Sequence, residues 1–333
     1  MGRRKIQIVL IGLLNLIFAA CCSQSNNQIM DTDIKMLVVL SDEYNFFGET
    51  YLKFYNKENQ LIKEEIIHHA GFYTNEIVGK EMFLLGSNFL YKIKLDDFSY
   101  EKLDVPNDDG DIIFNEFYID HNIITYKKNT SYSEKDDAFA EDFCLYNLSE
   151  KKELCNSTTG LIKSLYMNKG YIYVLNELNE HTELLVLDDD FNMISKIEYN
   201  EKNASKILGV DDNVYAELDD KIYDLEKNII YSRNEDISHM FMVAMKNENK
   251  LNLLYMGSPS QVCDLHDNCF TYESMLFEQG ISDNGGTVFS TNSKLIKKTI
   301  LEDIILFENG LFKKINTIKY PLGLNIVGIY YSE

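Results

Sequence analysis

Apolar residues along this chain fall into short runs rich in Ile, Val, Leu, Tyr and Phe, separated by clusters of Asp, Asn, Gly and Lys. Spacing at three and four residues, the mark of an amphipathic helix, is almost absent, and the runs are too short for buried helices. β-Branched and aromatic residues pack well on a pleated surface, so the runs predict strands and the polar clusters predict tight turns. The clearest stretch is SKILGV at 205–210, NVYAEL at 213–218, KIYDL at 221–225 and NIIY at 228–231, four strands within 27 residues.

Two elements recur in step. One reads YLKFYNK at 51–57, FLYKIKL at 89–95, FCLYNL at 143–148, ELLVLDD at 183–189, KIYDL at 221–225, NCFTYE at 268–273 and GLFKKI at 310–315, with starts 38 to 54 residues apart. The other precedes each copy: MLVVLSD at 36–42, EMFLLGS at 81–87, NIITYKK at 122–128, YIYVLNE at 171–177, NVYAELD at 213–219, LNLLYMG at 251–257 and DIILFEN at 303–309. They read as the third and second strands of a four-stranded unit, and a period near forty with four strands per unit is a propeller signature. The expected fold is therefore all-β, a seven-bladed β-propeller of four-stranded antiparallel blades. Two packed β-sandwich domains are the alternative, although they would not demand a repeat. The first unit starts with its second strand, and the run NIVGIYY at 325–331 belongs to no unit. The C-terminal segment is accordingly expected to supply the innermost strand of the first blade, which removes open sheet edges. In pattern, the stretch from about 36 to 333 resembles the seven-bladed propeller lipoproteins of bacteria; no WD, kelch or quinoprotein signature accompanies it.

The first 22 residues are of another kind. Arg3, Arg4 and Lys5 precede an apolar stretch at 6–18, interrupted by Gln7 and Asn15, and then Ala19, Ala20, Cys21 and Cys22. This is the layout of an export signal, and the apolar stretch is shorter than the roughly 20 residues of a spanning helix. Its end resembles the lipobox of bacterial lipoproteins, with Phe18 where Leu is usual. The resemblance implies that Cys21 takes a diacylglycerol, with palmitate among its acyl chains, and that the signal peptide is removed before it. Cleavage before Cys22 would put the bulkier Cys21 at the preceding position. Several buried acyl chains give a firm anchor, so the expected location is extracytoplasmic and lipid-anchored to a bacterial membrane. The expected organisation is a signal peptide at 1–20, the lipidated cysteine and a polar tether at 21–33, and one propeller domain at 34–333.

Charge narrows the partners. The signal holds three of the 32 basic residues, so the chain beyond it carries 29 against 53 acidic ones, a net charge of −24. Such a surface repels nucleic acid and anionic lipid. Arg233 is the only arginine after the signal, so forked arginine clusters for phosphate or carboxylate cannot be built. The four remaining cysteines form two close pairs, Cys144 with Cys155 and Cys263 with Cys269. In an oxidising compartment this favours two local disulfides, the first across a hairpin turning at 149–152.

No catalytic constellation emerges and no cofactor is expected. Cys263, His266 and Cys269 have zinc-like spacing but lack a fourth ligand, and export favours the disulfide. His68 and His69 would point to opposite faces of a strand, and His121, His181 and His239 stand in separate units. Acidic clusters at 107–111 and 188–190 read as turn chemistry, without EF-hand spacing. The segment SDNGGTVF at 282–289 resembles a degraded Asp box of sialidase-like propellers, where it would turn between third and fourth strands. Irregular loops at 127–142 and 258–268, with Tyr132, Asp136, Asp137, Asp264 and His266, are the expected binding loops. The resulting expectation is a non-catalytic scaffold for a protein partner in the cell envelope; alternatives are a binding module for glycan, peptide or cation, or a propeller hydrolase or lyase with carboxylates converging from different blades.

Overall fold

The computed structural model describes residues 34–42, 48–86, 89–106, 117–120, 122–133, 138–233, 241–291 and 293–332. Residues 1–33 with Cys21, and also Asp136, Asp137, His121, His239 and the acidic cluster at 107–111, lie outside the described residues. Among the described residues there are 29 strands and no α-helix. The chain begins with Ile34–Ser41 (β1), Thr50–Asn56 (β2) and Leu61–Ile67 (β3). Phe72–Val78 (β4), Glu81–Gly86 (β5), Leu90–Lys94 (β6) and Tyr100–Leu103 (β7) follow. Next come Phe117–Asp120 (β8), Ile123–Ser133 (β9), Ala138–Asn147 (β10) and Lys152–Thr159 (β11). Leu161–Asn168 (β12), Tyr171–Glu177 (β13), Thr182–Leu187 (β14) and Met193–Tyr199 (β15) form the next group. Then Ala204–Val210 (β16), Asn213–Leu218 (β17), Lys221–Asp224 (β18) and Ile229–Ser232 (β19) precede Phe241–Asn247 (β20), Lys250–Met256 (β21), Ser260–Cys263 (β22) and Cys269–Tyr272 (β23). Leu276–Ser282 (β24), Thr287–Thr291 (β25), Lys294–Ile296 (β26), Thr299–Glu308 (β27), Leu311–Pro321 (β28) and Asn325–Tyr331 (β29) complete the series.

The arrangement is a β-propeller in which five sheets, not the expected seven, stand as separate four-stranded units: β4–β7, β8–β11, β12–β15, β16–β19 and β20–β23. The remaining strands form one nine-stranded sheet in the order β26-β27-β25-β24-β29-β1-β2-β3, with β28 on β27. The fusion has a local cause. β29 pairs antiparallel with β1, from Met36 opposite Tyr331 to Ser41 opposite Asn325, and parallel with β24 on its other side. Gly280 makes that seam feasible, because a Cβ there would lie 1.7 Å from the carbonyl oxygen of Ile329.

The second strands show why their sequences are continuously apolar: they are buried on both faces. In β13, Ile172 and Val174 pack with Phe143 and Leu145 of β10, while Tyr173 and Leu175 pack with Ile207 and Val214 of the following sheet. β5 divides in the same way, Met82 and Leu84 one way, Phe83 and Leu85 the other. Each such side chain contributes about 1.5–3 kcal/mol. The fourth strands face outward on one side, so β15 is largely exposed.

Each sheet is an antiparallel meander whose even strand number returns the chain to the rim where it began. Gly160 alone joins β11 to β12, and four residues join β15 to β16. The starts of the first strands therefore share one rim, here the upper rim. The chain enters β1 at Ile34 on the lower rim, and Ser332 N donates to Lys35 O there at 2.8 Å.

Candidate partner-binding face

Four turns on the lower rim are built alike. Between third and fourth strands, the Asp224 carboxylate accepts from the backbone N–H of Glu226 and Asn228 at 3.0 and 2.8 Å, and Asn228 Nδ2 reaches back to it. Asp188 with Asn192 and Asp264 with Asn268 repeat this arrangement, and Asn56 Oδ1 likewise accepts from Gln60 N while its Nδ2 donates to Gln60 Oε1. The residue before each closing amide has positive φ: Lys227 at 63°, Phe191 at 61°, Asp267 at 61° and Asn59 at 61°. The hydrogen bond from Asn268 first, then backbone N–H groups, holds the Asp264 carboxyl below its usual range. Asp264 is thus a turn-forming residue, and His266 is exposed in the same turn.

Both expected disulfides form on this sheet framework, Cys144–Cys155 across β10 and β11 and Cys263–Cys269 across β22 and β23. Two segments read as loops are strands instead. β9 and β10 run through most of 127–142, and β22 occupies 260–263 within 258–268. His68 and His69 lie in a turn after β3, not on a strand, and His68 Nδ1 is 3.1 Å from Glu49 Oε1. The segment at 282–289 turns between the first and second strands β24 and β25, with Gly286 N donating to Ser282 Oγ at 3.0 Å.

The upper rim carries the longest departures from the repeat. β9 and β10 extend past their neighbours into a hairpin on which Tyr132 and Phe139 are cross-strand partners, with ring centroids 5.1 Å apart. They are 51% and 42% exposed. Tyr132 and the Asp264–His266 turn lie on opposite rims, so the expected binding residues do not form one site. β27 and β28 also overshoot the upper rim, joined there by β26.

The first strands line the centre, where those of successive sheets pack on one another. Glu76 of β4 and Glu278 of β24 come within each other's electrostatic reach, with Lys206 of β16 and Lys246 of β20 opposing them. Enclosure by protein, then the Glu278 charge, pushes Glu76 up to about 7 although water still touches it. Glu278 is raised mainly by partial desolvation, against Lys206, although its side chain stays exposed. Sequence reading missed this group because nothing along the chain relates the four positions.

A cavity of about 390 Å³ lies between β11 and the pair β14–β15, lined by Phe143, Asn156, Ser157, Leu185, Glu183 and Lys196. At its edge His181 Nε2 is 3.1 Å from Glu183 Oε1. Lys196 pairs with both Glu183 and Glu198, so a cation would have to displace its ammonium.

No family model matches the chain, and no curated protein matches it. Among solved structures, it is similar to the Pyrococcus horikoshii acylaminoacyl peptidase, with TM-score 0.53 and 12% identity over 85% of this chain and 51% of that one. The chain thus spans about half the length of that peptidase. It is also similar to Kluyveromyces lactis Hsv2, with TM-score 0.47 and 10% identity over 87% of this chain and 99% of that one, and to the Neurospora crassa Pan2 WD40 domain, with TM-score 0.44 and 12% identity over 78% and 86%. At such identities the likeness is one of fold.

Proposed function

We propose that this chain is an extracytoplasmic lipoprotein, anchored through Cys21, whose propeller is a non-catalytic scaffold for a protein partner in the cell envelope. The observation that carries this reading is the separation of the rims: the chain enters at the lower one, and the extended hairpin bearing the exposed Tyr132–Phe139 pair stands on the upper one. Exposed, mutually packed aromatics on a hydrogen-bonded hairpin suit an interface anchor. We further count the nine-stranded sheet as two blades, β29-β1-β2-β3 and β24-β25-β27-β28, making seven. Seven buried clusters, each shared by adjacent groups of strands, support that count.

The test is crosslinking capture from native envelopes. A stoichiometric protein should be recovered with the wild type and at least tenfold less with Tyr132→Ala plus Phe139→Ala, while the thermal midpoint stays unchanged. Equal recovery by both forms would remove this hairpin from the interface, and recovery of no protein would sink the scaffold reading. Cys21→Ala tests the anchor separately, by release from the membrane fraction.

A second reading is a small-ligand site in the central channel. Glu76 and Glu278, converging from different sheets with raised proton affinity, favour it, since a group titrating near neutrality can donate or accept a proton.

A further inference from the structure

The projection formed by β26, the start of β27 and the end of β28 has a composition unlike the rest of this acidic body. Residues 294–301 and 318–324 hold Lys294, Lys297, Lys298 and Lys319 and no acidic residue. Leu295, Ile296 and Leu322 are 58%, 54% and 59% exposed at its tip. The tip is held in shape by the pairs Ile296 with Thr299 and Thr299 with Pro321, and by Leu322 N donating to Lys298 O at 3.0 Å. The acids nearest the tip are engaged at its base: Glu302 accepts from the Tyr320 hydroxyl, and Asp303 from Thr317 at 2.6 Å and Lys314 at 2.7 Å. Among the described residues, no ion pair takes up Lys297, Lys298 or Lys319.

Lysines are a common way to blunt an open sheet edge such as β26, which accounts for the cations but not for three exposed aliphatics beside them. We propose that this tip docks on an anionic lipid bilayer, the lysines meeting headgroups while Leu295, Ile296 and Leu322 enter the interface. Binding at such surfaces grows with buried apolar area and basic charge and needs no shaped partner. A protein partner fits less well, because three aliphatics on a narrow tip fall far short of the roughly 1,200 Å² of a specific interface and the tip has no aromatic or arginine anchor. The net negative charge of the body does not forbid it, since screening over about 8 Å leaves the tip's own charges dominant at contact.

This inference rests on the anchored reading of the proposed function.

The experiment uses the full lipidated chain in vesicles of phosphatidylcholine alone or with 30% phosphatidylglycerol. A water-soluble amine-acetylating reagent is applied, and Lys297 and Lys298 are followed by peptide mass spectrometry, with exposed Lys57 on the lower rim as reference. Acetylation of Lys297 and Lys298 should be at least fivefold slower in the anionic vesicles, with Lys57 unaffected. The protection should vanish in 0.5 M salt and in the chain carrying Leu295→Ser, Ile296→Ser and Leu322→Ser. Equal rates in the two vesicles would overturn the proposal, as would protection that appears only when envelope protein is added. Flotation with vesicles reports the anchor independently: a chain that floats but shows no protection refutes the tip alone, whereas a wild-type chain that does not float refutes the anchor.

Discussion

Glu76 is the residue whose chemistry departs most from its ordinary value. Its pKa is raised from 4.5 to about 7 in the folded protein, so between those values the folded state binds more protons than the unfolded one. Its contribution to stability is therefore fully present below about pH 4.5 and is lost as pH rises through about 7. Above that, an enclosed charge near Glu278 costs on the order of 2 kcal/mol, discounted because water reaches the carboxylate. Glu76→Gln should raise the thermal midpoint at pH 8 by several degrees and change it little at pH 5. Melting curves across pH check this, and an unshifted midpoint at pH 8 would mean that the carboxylate is better hydrated than its surroundings imply. Nothing at residue level announced Glu76, because its partners sit on β16, β20 and β24, more than 100 residues away. Cys144 and Cys263, in contrast, were readable at once, since each pair lies within a single hairpin.

Turns and strands were legible unevenly. Second strands buried on both faces, such as β1, β5 and β13, stood out as unbroken apolar runs. In the last two units the reading slips: NCFTYE is the fourth strand β23, and DIILFEN is β27, the third partner after β24 and β25. The strands it skipped are β22, four residues beginning Ser-Gln, and β25, which begins and ends in Thr. Their hydrophobic signal is weak because they are short. A better marker was present in the turns, where Asp or Asn is followed four positions later by Asn or Gln at 56–60, 188–192, 224–228 and 264–268. By that spacing, Asp264–Asn268 marks the strand before it, β22, as a third strand. If these carboxylates organise the turns, Asp224→Ala should destabilise the protein by about 1–2 kcal/mol, the cost of leaving two N–H groups and an amide without their acceptor. Urea unfolding measures it, and a loss below a few tenths of a kcal/mol would show that solvent substitutes for the carboxylate.

At the scale of the whole molecule, integrity depends on β29. It brings buried Val327 and Ile329 between β1 and β24 and hydrogen-bonds to both. Ending the chain at Leu324 would lose roughly 3–6 kcal/mol of side-chain burial and expose two edges. The truncated protein should unfold without a single cooperative transition and elute in part as oligomer; a sharp transition at the wild-type midpoint would show that the seam is dispensable. The same strand sets a schedule for the newborn chain. β1 emerges about 290 residues ahead of β29, which at roughly 5–20 residues per second is a wait of about 15 to 60 s. Throughout that interval the edge of β1 from Met36 to Ser41 has no mate, so self-association and proteolysis should concentrate on the unfinished chain, and the final seven-residue strand decides when the molecule is safe.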